Sequence, residues 1–259
     1  MDKLAADKQL EKYRFNPSLK HSFHVADLLD EALLKEFMKN LSHTLGAPSE
    51  KVAASIFIKR YAFLAVMSLY AMTALNKKLN VSLDNVKMES AEQGKDWLPG
   101  ISLKDVTVQD WDGNDRSEWR ANVFKDLFAN NIYPLISQLE KTFGISKLIL
   151  WENIAVYLFW LYESELTENE QVAEDFRYLI SEAEGQLFGR YNLNPLQKYF
   201  AEKTYLEEWD SEISLRKTCC FTYQLPAGKR CKTCPCTQIA KDRRCHDGEN
   251  ICEAVRSFA

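Results

Sequence analysis

The sequence predicts an α+β protein that is mainly α-helical, with a small antiparallel β-sheet and a small cysteine-rich unit at the C-terminal end. Apolar residues recur with helical spacing over most of the chain, and two short segments rich in β-branched residues interrupt that pattern. All seven cysteines follow residue 218. Of the 259 residues, 46% are hydrophobic and 27% are charged, which suits a globular protein with a substantial core.

Two helices are predicted in the first third of the chain. Over residues 27–45 a leucine or phenylalanine recurs every fourth residue, and Gly46 suits the C-terminal cap of this amphipathic helix. The second helix is predicted from Ser49, which suits the N-cap, to about Asn76. Its stretch Tyr61–Leu75 has fifteen residues without a charge. Because that length is too short to cross a bilayer, we expect a buried helix.

The pattern then changes to two segments that predict a pair of antiparallel strands, 81–88 and 101–108. Three further helices are predicted at 117–143, 146–163 and 168–188. Pro134 is expected to kink or break the first of them, because proline lacks the N–H that a helix interior requires. Residues 213–225 are predicted to form a strand-like segment that leads into the cysteines.

The cysteines are concentrated in one short segment. Five of the seven lie in the nineteen residues 218–236. Cys219 and Cys220 are adjacent, ten residues separate them from Cys231, and two more precede Cys234. Structural cysteines scatter through a core as small hydrophobic residues, so this concentration indicates thiolates that act together.

Spacing alone leaves three uses of these thiols open. Neighbouring side chains of a strand point to opposite faces, so Cys219 and Cys220 can share one site only where the backbone bends. A [2Fe–2S] cluster distributes four thiolates over two metals and suits this spacing best. A zinc ribbon takes two Cys-x2–4-Cys pairs, and this sequence has one. Unligated thiols are the third alternative.

Charge and leader signals restrict the function classes. From Arg216 onward nine Lys or Arg residues accompany four Asp or Glu residues, so this end carries about +5 and the rest about −9. Residues 1–10 contain no apolar leader, which predicts a cytoplasmic protein whose cysteines bind metal rather than form disulfides. The sequence lacks dinucleotide, phosphate-loop and nucleophile-elbow motifs, so its electrons must come from another protein. We expect no nucleic-acid partner.

Two segments carry a family resemblance. The run RKTCCFTYQLP at 216–226, followed by the Cys-x2-Cys-Pro sequence at 231–235, resembles the C-terminal motif of the FhuF-like ferric-siderophore reductases. The segment LILWENIAVYLFWLY at 148–162 is similar to the Leu-x-Trp-x-Asn segment of the same family. The resemblance implies a [2Fe–2S] cluster bound by Cys219, Cys220, Cys231 and Cys234.

The resemblance also implies an enzyme that reduces siderophore-bound Fe(III) to Fe(II) by one electron, with hydroxamate or citrate–hydroxamate siderophores as substrates. It makes Trp151 and Asn153 candidate substrate-binding residues. The charged residues that interrupt the apolar helix, together with a basic residue before the cysteines, are candidates for the same role: Lys59, Arg60 and Arg216. Other basic residues are candidates for docking a ferredoxin-like electron donor: Lys217, Lys229, Arg230 and Lys232.

We expect a mainly helical siderophore-reductase body over residues 1–210 and a cluster-binding segment over 211–259. Cys236, Cys245 and Cys252 fall outside the family motif, and the last two are expected to be free thiols. A peripheral contact with the inner membrane is compatible with this assignment, without a transmembrane segment. Two other functions stay open: a zinc-stapled siderophore-binding or trafficking protein, and a general iron–sulfur electron carrier.

Overall fold

The computed structural model describes residues 8–90, 97–201, 203–206 and 210–236. Within these residues the chain forms seven α-helices: α1 (Lys8–Lys12), α2 (Glu31–Leu45), α3 (Glu50–Leu75), α4 (Arg116–Phe124), α5 (Tyr133–Phe143), α6 (Lys147–Trp160) and α7 (Glu170–Arg177). Three of them continue directly into π-helical turns: Lys125–Ile132, Leu161–Glu165 and Tyr178–Glu182. The predicted mainly helical architecture is confirmed.

Short strands make up three antiparallel sheets in the described part of the chain: β1 (Ser22–His24), β2 (Lys77–Leu79), β3 (Val86–Glu89), β4 (Ile101–Leu103), β5 (Val108–Asp110), β6 (Thr204–Leu206) and β7 (Ser211–Ile213). The predicted antiparallel pairing is confirmed for β3 and β4, with Met88 opposite Ile101, but both strands are shorter than predicted, since β3 begins at Val86 and β4 ends at Leu103. The pairing of β1 with β3 and of β2 with β5 was not predicted. Strands of three residues are too short to show an alternating pattern.

The predicted caps of α2 and α3 are confirmed. Gly46 ends α2 in the left-handed conformation, with φ of 61°. The side chain of Ser49 accepts a hydrogen bond from the Val52 N–H at the start of α3. The first helix begins later than expected, because Asp30 caps α2 through the Ala32 and Leu33 N–H groups and Val25–Leu29 forms a 3₁₀ turn.

The long helix α3 is the centre of the core. It has the length and apolar composition of a membrane span, but 83% of that window is buried inside the protein, as in the core helix of a globular domain. From residue 52 to residue 69 only Lys59, Arg60 and Phe63 reach the surface. The predicted buried helix is therefore present, and three residues form its single outward face in this stretch.

The largest helix–helix contact of the described chain joins α6 to α3. The Ser146 side chain caps α6 by accepting from the Leu148 N–H at 3.2 Å. The face of α6 that meets the core includes Trp151, Glu152 and Asn153, all at most 1% exposed. Two consecutive polar side chains at these depths require hydrogen-bond partners.

Pro134 does not end the helical path between α4 and α5. The chain passes through the π-helical turns Lys125–Ile132 and then into α5, where Pro134 occupies the first turn. Because Ile132 already has helical dihedral angles, Pro134 lies within a continuous helical path, and its missing N–H interrupts the backbone hydrogen bonds where the π-helical turns give way to α5. The π-helical turns that precede Pro134 are a local change in helical geometry of the kind that a proline is expected to produce.

The strand expected at 213–225 is wrong beyond its first residue. Strand β7 ends at Ile213 and pairs with β6, after which the chain is irregular up to a 3₁₀ turn at Thr222–Gln224. The N–H groups of Lys217 and Thr218 donate to the carboxylate of Glu152 instead of to a neighbouring strand. These two N–H groups therefore donate to a side chain and not to the backbone of a neighbouring strand, as a strand would require.

A buried cluster of charged side chains joins α4 to α7. Asp175 is fully buried and accepts from Arg116 Nη2 at 2.7 Å and from Arg120 Nη1 at 3.0 Å. Arg116 Nη1 also donates to Asn76 at the end of α3, at 2.7 Å. Asp175 and Arg116 together therefore connect α7, α4 and the end of α3.

Replacing Asp175 with Asn should lower the stability of the body. Removing one partner of a buried ion pair leaves the remaining charge uncompensated and costs about 3–5 kcal/mol. Thermal unfolding should show a clear drop in Tm for Asp175→Asn and none for Glu182→Gln, whose pair with Arg177 is exposed. Equal melting temperatures for the two variants would contradict the stabilising role of the buried Asp175 carboxylate.

Candidate metal centre

The five cysteine sulfurs of residues 218–236 lie close together. The Sγ atoms of Cys219, Cys234 and Cys236 all lie within 4.8 Å of one another. The Cys231 sulfur lies beside those of Cys220 and Cys234. Cys219, Cys220 and Cys234 are buried, whereas Cys231 and Cys236 are partly exposed. The four cysteines of the predicted ligand set are thus in contact, with Cys236 beside them.

The backbone bends at the point that the sequence requires. Phe221 follows the adjacent pair Cys219 and Cys220 and has φ of 61°, a left-handed conformation that few residues other than glycine adopt. Its N–H points back to the Cys219 sulfur at 3.4 Å. Because the chain reverses here, two adjacent side chains can face one site, as the spacing analysis requires.

Tight backbone contacts hold the loop between the two cysteine pairs. The Cys234 N–H donates to the Cys231 carbonyl at 3.0 Å, which closes the Cys-x2-Cys turn. A Cβ atom at Gly228 would lie only 2.0 Å from the carbonyl oxygen of Thr222, so glycine is required at this close approach. At Gly46 a Cβ would meet Pro226 at 2.7 Å, which places the loop against the end of α2.

Hydroxyl and cationic donors surround the sulfurs. The Thr222 hydroxyl lies 3.1 Å from the Cys220 sulfur, and the Lys59 ammonium lies 3.9 Å from the same atom. Arg230 Nη1 lies 3.9 Å from the Cys234 sulfur, with its guanidinium 4.2 Å from the centre of the Tyr223 ring. Cations and donors of this kind stabilise thiolates.

The thiol pKa values reflect these contacts. The hydrogen bond from Cys231, followed by the charge of Lys59, lowers the pKa of Cys220 to about 4. Hydrogen bonds from Cys219 and Cys231 hold the pKa of Cys234 far below its usual range. The pKa values of Cys219 and Cys231 are raised, because each donates its proton to a neighbouring sulfur. Without added positive charge, four touching thiols cannot all ionise.

The donor set fits a [2Fe–2S] cluster. Such a cluster takes four cysteine thiolates and supplies the positive charge that lets all of them ionise together. Cys219, Cys220, Cys231 and Cys234 are the residues that would hold it. The hydrogen bonds to their sulfurs are the contacts through which a protein tunes such a cluster.

A buried polar network joins the cysteine segment to α6 and α3. Arg216 Nη2 donates to Asn153 Oδ1 at 2.6 Å, and Asn153 Nδ2 donates to Ser55 Oγ at 2.9 Å. The Ser55 hydroxyl in turn donates to the carbonyl of Cys220 at 2.9 Å. The Arg216 N–H donates to the Thr233 carbonyl, so both cysteine pairs are tied to the same network.

Glu152 is the carboxylate of this network. Its oxygens accept from the Lys217 N–H at 2.6 Å, from the Thr218 N–H at 2.7 Å and from the Thr218 hydroxyl. Arg216 Nε lies 3.6 Å from the same carboxylate. With only 1% of its surface exposed, Glu152 fixes the backbone directly before Cys219.

The predicted substrate residues occupy different environments. Trp151 and Asn153 are buried, and Trp151 donates to the Tyr191 hydroxyl at 2.8 Å. Arg216 is also buried, at 6% exposure. Lys59 and Arg60 reach the surface of α3, and Lys59 alone of this group lies within 4 Å of a cysteine sulfur in the described contacts.

The predicted donor-docking residues are all at the surface. Their side chains are exposed along the cysteine segment: Lys217, Lys229, Arg230 and Lys232. Arg230 also contacts the Cys234 sulfur, a contact that the spacing analysis did not predict. Cys245 and Cys252 lie outside the described residues.

Glu152 and Ser55 were not predicted from the sequence as residues of the site. The signal for Glu152 was present, since it is the single charged residue of the apolar run LILWENIAVYLFWLY. A lone carboxylate in an apolar helix indicates a buried partner, because an unpaired charge is too costly there. Ser55 carries no such signal, because small hydroxyl residues are common in buried helices.

Substitution of each cysteine should define the ligand set. Serine at Cys219, Cys220, Cys231 or Cys234 should bleach or strongly alter the visible absorption of the predicted cluster, because one iron loses a thiolate. Cys236→Ser should keep the spectrum, as should serine at positions 245 and 252. Absorption and electron paramagnetic resonance spectra of anaerobically purified variants measure this.

A different pattern would change the assignment. Loss of the spectrum in Cys236→Ser together with its survival in Cys220→Ser would make Cys236 the fourth ligand. That outcome has a geometric basis, since Cys236 lies within 4.8 Å of Cys219 and Cys234.

Glu152→Gln should loosen the cysteine segment. The substitution removes the charge that pairs with Arg216 and halves the acceptors available to the backbone donors, at a cost of about 3–5 kcal/mol for a broken buried pair. Release of iron to a chelator should become faster while far-ultraviolet circular dichroism retains the helices. The matched control is Glu163→Gln, which removes a surface carboxylate after α6 that pairs with Lys203. Identical release rates for both variants would exclude this positioning role.

The matches to known families agree with the geometry. Residues 55–208 match the family described as ferric iron reductase FhuF-like transporter, and residues 216–235 match the FhuF 2Fe-2S C-terminal domain. The first match alone covers more than half of the chain. No curated protein matches the chain. The predicted resemblance is confirmed: the chain belongs to the FhuF-like ferric iron reductase family and carries that family's [2Fe–2S] domain.

Proposed function

We propose that this protein is a ferric-siderophore reductase. A ferredoxin-like donor gives up one electron and is oxidised, and siderophore-bound Fe(III) gains that electron and becomes Fe(II). Hard oxygen ligands such as hydroxamate and citrate hold Fe(III) much better than Fe(II), so a single electron releases the metal without breaking a bond of the siderophore. When bound, the [2Fe–2S] cluster supplies one-electron chemistry at the site.

The observation that carries the proposal is the position of the four thiols. They lie at the junction of the helical body and the cysteine segment, with Cys219 and Cys220 buried and Cys231 partly exposed. An electron can pass to an acceptor held close by without forming a bond to it. A metal centre with one edge near the surface suits that requirement.

The residues of the network hold this position. Asn153 and Arg216 were predicted to bind substrate, and their buried hydrogen bond supports a positioning role for the cysteine segment. Trp151 packs on the rings of Phe188 and Phe128, and these contacts support a structural role in the core. Direct substrate contact by these residues stays a prediction. Lys59 is the predicted substrate residue whose location best supports contact with both the centre and a ligand.

The charge distribution supports a protein donor. Exposed basic residues lie within a few residues of the ligand cysteines, at Lys217, Lys229 and Lys232. Acidic electron carriers approach such surfaces faster because opposite charges steer the encounter. We propose this surface as the docking site, with a cytoplasmic location and with residues 1–210 and 211–259 as body and cluster-binding segment.

A ferrous-iron assay tests the proposal. Purified under anaerobic conditions, the protein should be red-brown and contain iron and sulfide. After reduction it should convert ferric hydroxamate siderophores to Fe(II), captured by a ferrous chelator, with saturable dependence on siderophore. A colourless protein with stoichiometric zinc would refute the proposal. Slow and non-saturable reduction would favour the general electron carrier instead.

The donor surface has its own comparison within that assay. Lys229→Glu combined with Lys232→Glu should slow reduction by an acidic ferredoxin and weaken its dependence on salt. Reduction by a small neutral dye should be unaffected, because a dye needs no charged docking surface. Equal slowing with both donors would indicate damage to the metal centre and would contradict the docking role.

A further inference from the structure

A surface beside the metal centre combines aromatic rings with three cations, two of which form no ion pair with a described residue. It consists of six residues, called here the aromatic–cation face: Arg14, Lys59, Arg60, Phe63, Tyr157 and Trp160. All six are partly exposed, although α3 and α6 are otherwise largely buried in these stretches. They are the places where the two central helices meet solvent together.

The aromatic part of this face is continuous. The ring of Phe63 lies 5.0 Å from that of Tyr157 and 6.4 Å from that of Trp160, measured between centroids. Trp160 in turn has an edge contact with the buried Tyr13 at 6.2 Å. Rings packed in this manner form a rigid apolar platform at the surface.

The two arginines of the face have no acidic partner among the described residues. Neither Arg14 nor Arg60 takes part in a described ion pair, and the buried Nε of Arg60 has no hydrogen-bond partner. Burial, followed by the charge of Arg60, lowers the pKa of Arg14. Two like charges held together at a half-buried surface are unfavourable unless an anion joins them.

The fold holds Arg14 in place over the rings. Its guanidinium carbon lies 4.6 Å from the centroid of Phe63. Its backbone has φ of 72° and is fixed by bonds to Glu11 and to Ile101 of β4. A residue other than glycine adopts this left-handed backbone conformation at a cost in free energy, so the surrounding structure must hold Arg14 in it.

The face reaches the metal centre through α3. Lys59 and Phe63 lie one helical turn apart and therefore share a side of the helix. The Lys59 ammonium lies 3.9 Å from the Cys220 sulfur and 3.3 Å from the Thr222 hydroxyl. A molecule lying on Phe63 and held by Arg60 would thus be close to a cluster ligand.

We propose that the aromatic–cation face binds the iron complex and selects complexes with a net negative charge. This inference rests on the proposed reductase function. The charges of Arg14 and Arg60 would pair with carboxylate or hydroxamate oxygens of the chelate, and the rings would cover its organic arms. Citrate-based ferric complexes carry such charge, whereas cationic trihydroxamate complexes would meet two uncompensated arginines.

Gallium complexes test binding apart from electron transfer. Gallium(III) takes the same oxygen ligands as Fe(III) and is not reduced under these conditions. Titrations of the holoprotein with anionic gallium(III)–dicitrate and with cationic gallium(III)–desferrioxamine B, followed by calorimetry, should show tighter binding of the citrate complex. Trp160→Leu should weaken binding of the citrate complex, because the platform loses an aromatic ring.

The charge variant is Arg14→Gln with Arg60→Gln. Loss of charge-assisted hydrogen bonds should weaken gallium(III)–dicitrate binding roughly tenfold to a hundredfold. A matched control removes two exposed charges elsewhere, Lys104→Gln with Lys125→Gln, and should bind as the parent does. Circular dichroism and an unchanged cluster spectrum establish that both proteins are folded.

The outcomes separate the two proposals. Equal binding by the arginine variant and its control, or a preference for the cationic complex, would overturn the face as the binding site even where reductase activity persists. Binding of anionic vesicles in place of the gallium complex would assign the face to a membrane surface and overturn the inference as well. Arginine-dependent gallium binding without any ferrous iron production would instead support the face and refute the reductase.

Discussion

The organisation of the site depends on one buried carboxylate. Glu152 lies in an apolar helix, where an unpaired charge is too costly, and three donors from Lys217 and Thr218 together with Arg216 compensate it. The same contacts hold the chain directly before Cys219. The free energy needed to bury the charge therefore couples folding of the helical body to the position of the first two cysteines.

The network also explains how the centre is both rigid and accessible. Asn153 and Ser55 join the cysteine segment to α6 and α3, the two helices with the largest mutual contact. Lys59 and Arg230 contribute positive charge to sulfurs of the set. Positive charge and hydrogen bonds at the sulfurs favour the reduced state of an iron–sulfur centre and raise its potential. The residues that hold the centre thus also adjust its electron affinity.

Local signals were sufficient for much of the helical framework. Gly46 caps the end of α2, and Ser49 and Ser146 cap the starts of α3 and α6, through contacts within a few residues, so a capping pattern in the sequence carries the information. The small sheets were harder, because their strands have three or four residues and their partners lie far away in the chain. The segment 213–225 has a strand-like sequence but does not continue as a strand, because the N–H groups of Lys217 and Thr218 donate to Glu152, about sixty residues earlier in the chain.

By itself the sequence located the candidate metal ligands in one short cysteine segment, and the resemblance of that same run indicated the family. Only the tertiary structure decided what surrounds them. It placed Asn153 and Arg216 in the interior, added Cys236 to the sulfur group and brought Arg14 over Phe63. Ligand spacing is a local property of the chain, whereas the partner of a buried charge or an exposed cation depends on contacts between distant segments.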